Sequence, residues 1–116
     1  MNGSTTAKRS VRSHTKLRDE VQSVSNGYCL RTYGDAYTGA TPRSLSLPAG
    51  TIWVVPVMFN SAGYGPVGEV GIVAVDPRTL EILDATPKHE VRAAGARLAR
   101  EKRDDLHAAF RRARAT

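Results

Sequence analysis

The chain has 116 residues, 41% hydrophobic and 24% charged, a balance that fits one globular core and excludes a wholly disordered chain. Its net charge of +6 sits at the two ends: residues 1–33 carry six basic and two acidic side chains, residues 34–90 three and six, and residues 91–116 eight and three. Cys29 is the only cysteine, which excludes an intrachain disulfide, and the longest apolar run, Ile52 to Phe59, is too short to span a bilayer. No apolar segment follows the first basic residues, so no export signal is expected; a cytoplasmic protein with no membrane partner is the expectation.

Residues 1–13 are rich in Ser, Thr and basic side chains and read as a flexible basic arm ahead of a single α+β domain over 14–116. A short helix is expected from Ser13 or Thr15, with Leu17, Val21 and Val24 on one face and Asn26-Gly27 as its stop. Tyr28 to Tyr33 fits either a helical extension or a short strand, and Gly34 to Pro42 reads as a loop. Arg43 to Leu47 alternates polar and apolar like a half-buried strand, and Pro48-Ala49-Gly50 supplies a tight turn. Thr51 to Phe59 returns as a second strand, which Pro56 should place at an edge or next to a bulge. Val67 to Val75 and Leu80 to Leu83 are the third and fourth strands, joined by the type I turn signal Asp76-Pro77-Arg78-Thr79. Such short connections predict an antiparallel meander of three or four strands.

Thr86-Pro87 predicts the start of a long helix, with a capping hydroxyl ahead of proline in the first turn. Val91, Ala94, Gly95, Leu98, Leu106, Ala109, Phe110 and Ala113 share one face, so the helix is amphipathic and should pack on one side of the sheet, with Gly95 allowing close approach to a strand. Arg97, Arg100, Arg103, His107, Arg111 and Arg114 form a stripe on another face. With the basic arm, that stripe is the footprint expected for polyanion binding. The competing reading is a solvated face with pairs such as Arg100–Asp104. Phe110, the helix's one aromatic residue, falls on the apolar side.

Several motifs dissolve on inspection. Gly63-x-Gly65-x-x-Gly68 has phosphate-cradle spacing, but a dinucleotide site needs a helix after it, and Glu69 to Val75 alternates as a strand. The kinase-type loop also fails, because Val73-Ala74-Val75 is followed by Asp76 where that pattern has lysine. The glycines are expected to serve a hairpin through positive φ, and Gly71 a bulge or close approach. His89-Glu90-Val91-Arg92-Ala93 lacks the second histidine of a zinc helix. Asp76, Glu81 and Asp84 are expected to serve turns, and Cys29 to be a small buried apolar residue. No catalytic, cofactor or metal site is expected, and the chain reads as a non-enzyme.

Val73-Ala74-Val75-Asp76-Pro77-Arg78-Thr79-Leu80-Glu81-Ile82-Leu83 resembles the strand–turn–strand of PepSY-type modules, with Leu80 where that hairpin carries glycine. Trp53 and a helix before the meander fit the same pattern, over about residues 50–84. The resemblance implies a non-catalytic interaction or inhibitory domain. One helix covering one sheet face would leave Trp53, Val55, Val57 or their neighbours open to a partner. The expectation is an interaction module that pairs with itself as a homodimer or with another protein; the alternative is a nucleic-acid-binding accessory protein using the arginine stripe and the arm.

Overall fold

A computed structural model of the chain describes residues 3–61 and 65–115, with side chains described from Thr15 onward apart from that of Ala109. The elements run α1 (Gly3–Thr32), β1 (Tyr37–Gly39), β2 (Arg43–Leu47), β3 (Gly50–Ser61), β4 (Gly65–Val75), β5 (Ile82–Ala85) and α2 (Lys88–Ala115). The class is α+β, with a fully antiparallel sheet.

The backbone of α1 is helical from Gly3, whereas composition placed an arm over 1–13 and a helix start at Ser13 or Thr15. Nothing in that segment breaks a helix, since it lacks proline. The stop expected at Asn26-Gly27 is passed over. Val21, Ser25 and Cys29, spaced four apart, are all fully buried, and this stripe carries the helix on to Thr32. Asn26 is employed elsewhere: its Oδ1 accepts the Gly39 N–H at 3.2 Å. The helix closes where the amides of Tyr33 and Gly34 both donate to the Cys29 carbonyl, at 2.8 and 3.1 Å.

The segment read as a loop over 34–42 contains the three-residue strand β1, paired with β3 through Tyr37–Phe59, Thr38–Met58 and Gly39–Val57. Asn60 fixes that pairing by donating from its side chain to the Ala36 carbonyl and the Thr38 hydroxyl. The β2–β3 hairpin turns at Pro48-Ala49, with Leu47 opposite Gly50 and no slip back to Arg43–Val54.

β3 is the centre of the sheet and not an edge, since β1 and β2 share one of its sides and β4 takes the other. Pro56 is tolerated there because its carbonyl accepts from Ala40, on the side where the chain crosses between β1 and β2. In an extended strand a residue's N–H and C=O point the same way, so the missing donor also faces that crossing and removes no bond to β4. The bulges lie farther on, at Val57/Met58 and Phe59/Asn60.

At the β4–β5 turn, the Asp76 carboxylate accepts the Arg78 N–H at 2.8 Å, and Leu80 adopts φ 63. A glycine would hold that conformation without a Cβ penalty. β5 starts at Ile82, two residues later than the alternation suggests.

α2 starts when the Pro87 carbonyl accepts from Glu90 and Val91, at 3.0 and 3.1 Å. The Thr86 hydroxyl does not cap it; Oγ1 accepts the Ile72 N–H at 2.9 Å and extends the sheet. Val91 is fully buried, and a Cβ on Gly95 would lie 2.7 Å from the Tyr37 hydroxyl, so glycine is what lets the helix settle. Beyond Arg100 the helix leaves the sheet: Leu106 is 37% exposed and Phe110 57%. With helices of 30 and 28 residues, the molecule measures 72 × 32 × 24 Å, with a radius of gyration of 18.7 Å. A compact chain of this length would be near 13 Å.

Candidate interaction surfaces

Both helices lie on one side of the sheet. Trp53, Val55 and Val57 pair across the ladder with Val75, Val73 and Gly71, and these residues form the floor beneath α1 and α2. Trp53, Val55 and Val57 are therefore not an open partner face: they are 3%, 0% and 0% exposed. Both faces of β3 are apolar, so alternation separates two sets of residues without saying which set the helices cover.

The uncovered face carries the other set. Arg43–Val54–Ala74–Asp84 and Leu45–Ile52 are cross-strand rows, and Pro56 sits opposite Ile72. Leu45, Leu47 and Ile72 are 46%, 43% and 45% exposed, with Ile52 and Val54 half-buried between them. Large aliphatic side chains in contiguous rows on a sheet face are more than the scattered apolar residues of an ordinary surface. Period-two alternation did carry the signal, in Leu45-x-Leu47 and Ile52-x-Val54, but only a covered opposite face gives it meaning.

Along α2, Arg97, Arg100, Arg103, His107, Arg111 and Arg114 are all exposed. Phe110 was expected on the apolar side, away from the stripe. Because no strand lies under this half of the helix, its ring instead lines a shallow depression of about 420 Å³ together with His107, Arg111 and Arg114. The arrangement offers cations and one aromatic face to the same ligand.

The remaining motifs have structural employment. Gly65 takes φ 79 in the β3–β4 connection, whereas Gly68 admits Leu98, whose Cδ1 would lie 2.9 Å from any Cβ there. Gly71 likewise stands against Thr86 and Val91, and Gly63 lies outside the described residues. Backbone from Gly65 to Val75 is strand, so no helix opens directly after Gly65 and Gly68. Asp84 accepts the Ala85 N–H at 2.9 Å, a local role like that of Asp76. Burial pushes the Cys29 thiol up to about 11, which keeps it protonated and a poor nucleophile at neutral pH. Among the described residues no three His, Cys, Asp or Glu side chains gather as a metal site, and no helix is long and apolar enough to cross a membrane. No protein-family model, curated protein or solved structure matches the chain.

Proposed function

We propose that this protein is a non-enzymatic interaction module that associates with itself through the sheet. The observation that supports this reading is the uncovered apolar face, with Leu45, Leu47 and Ile72 each more than two-fifths exposed. Burying the part of each side chain still exposed contributes about 1 kcal/mol apiece. The PepSY-type hairpin pattern at 73–83 points to the same class of role.

Sedimentation equilibrium over a micromolar concentration range tests it. The wild type should form dimers, and Leu45→Glu, which puts a charge into the apolar face beside β2, should weaken them about tenfold or more while the fold is kept. A wild-type chain that stays monomeric throughout that range removes the reading.

A second reading rests on a separate observation, the projecting half of α2, where Phe110 joins the arginine stripe. There the protein would bind nucleic acid through phosphate contacts and base stacking.

A further inference from the structure

An antiparallel sheet exposes backbone donors and acceptors along its open edges, and proteins ordinarily occupy or distort them. Among the described residues this sheet has three such edges, along β1, β5 and β2. On β1 the outward groups belong to Tyr37 and Gly39, opposite Phe59 and Val57. The Tyr37 N–H donates to the Gly34 carbonyl at 3.1 Å, and α1 takes both groups of Gly39: Asn26 Oδ1 accepts its N–H at 3.2 Å, and Gln22 Nε2 donates to its carbonyl at 3.3 Å. On β5 a register shift breaks the strand between Asp84 and Ile82, and Asp84 accepts the outward Ala85 N–H. β2 has neither device. It keeps five unbroken pairs with β3, contains no proline or acid, and is exposed at every residue.

Its register can be read from the turn. Leu47 and Gly50 close a two-residue connection and exchange hydrogen bonds, so Leu45–Ile52 and Arg43–Val54 do too. The Ala40–Pro56 bond agrees, since it shows that the even residues of β3 point toward this side. Ser44 and Ser46 therefore direct their N–H and C=O groups away from β3, and no described group meets them.

We infer that the open edge of β2 is where the sheet continues into a second copy of this chain, β2 pairing antiparallel with β2 about a two-fold axis at Leu45. This rests on the self-association proposed above and names its site. The register is self-complementary: Ser44 exchanges two hydrogen bonds with Ser46 of the other copy, Ser46 two with Ser44, and all four outward groups are used. Leu45 meets its own counterpart as a non-hydrogen-bonded pair, whose Cα atoms approach to about 4.5 Å. Arg43 faces Leu47, so no like charges come opposite one another. The two uncovered faces join into one.

Two measurements test the site. Leu45→Cys under mild oxidation should give a disulfide-linked dimer, because a non-hydrogen-bonded pair brings the two sulfurs within bonding geometry. Leu47→Cys should not, since its counterpart lies about 14 Å away at 3.4 Å per residue. Ser44→Pro removes one outward donor while sparing the bonds to β3, and should leave a folded monomer by circular dichroism and sedimentation. If the wild type dimerises but Ser44→Pro does so equally, or if both cysteine variants cross-link alike, the β2 site is wrong while self-association stands. If Ser44→Pro does not fold, the cysteine pair decides alone. A monomeric wild type that yields no Leu45→Cys dimer ends both.

Discussion

The phenol of Tyr33 donates to the Thr86 carbonyl at 2.6 Å, while the Tyr33 carbonyl accepts from Arg92 at 3.1 Å. One residue thus joins the end of α1, the exit of β5 and the first turns of α2, and Arg92 brings positive charge to the negative end of the α1 dipole. Burial, with lesser effects from Tyr28 and Cys29, raises this phenol from 10.0 to about 12, and burial raises Cys29 from 9.0 to about 11. In both cases the native state holds a proton that the unfolded chain releases earlier. Their contribution is therefore complete below pH 9 and is lost as pH rises toward 11 and 12. Urea midpoints should be level from pH 7 to about 9 and then fall. Tyr33→Phe should lose about 1 kcal/mol at pH 7 through the orphaned Thr86 carbonyl, yet flatten the decline above pH 10. Midpoints constant up to pH 11 in the wild type would contradict the assignment.

At the scale of elements, α2 divides near Arg100. Its first turns bury Val91 and place Gly95 beneath Tyr37, whereas Leu106, Phe110 and the arginines beyond carry no sheet beneath them. A chain ending at Arg103 should keep its stability to within about 0.5 kcal/mol, as expected when surface contacts alone are removed. A drop of several kcal/mol in denaturant melts would show that the outer half is packed after all. The sequence marks this boundary only faintly, because the apolar periodicity from Val91 to Ala113 is interrupted at Lys102 alone and resumes at Leu106 while the sheet under it ends. The same limit applied elsewhere. β1 is three residues long and ends in glycine, too short to alternate, so it exists only because α1 and β3 hold it from both sides. Asn26-Gly27 has the composition of a helix stop, but a tertiary partner for Asn26 and burial of Cys29 overrode it. Where local chemistry acts alone, as at Pro48-Ala49 and Asp76-Pro77, the reading and the structure agree.

For the whole molecule, charge and shape pull in one direction. The acidic middle of the chain builds the sheet, and the C-terminal excess, eight basic against three acidic side chains, rides on α2, whose half beyond Arg100 extends away from it. Carrying Arg103, Arg111 and Arg114 beyond the sheet places them where a polyanion can approach at a distance from the uncovered sheet face. The two surfaces can therefore act independently, and a nucleic-acid measurement need not disturb self-association. If Arg97, Arg100, Arg103, Arg111 and Arg114 each neutralise one phosphate, the logarithm of the duplex affinity should fall with the logarithm of salt at a slope of about −4.5. Changing Arg100, Arg103 and Arg111 together to alanine should flatten that slope by about 3, as three released counterions require. Phe110→Ala should weaken single-stranded binding by about 1–3 kcal/mol and leave the slope unchanged, because stacking displaces no counterions. Filter binding or fluorescence anisotropy with labelled DNA at 50–300 mM salt (chosen to bracket the range where ~10 Å screening applies) reads all three quantities. Failure of any DNA or RNA to bind at the lowest salt would reduce the stripe to a solvated helix face, its arginines then serving solubility and the local acids Glu101, Asp104 and Asp105.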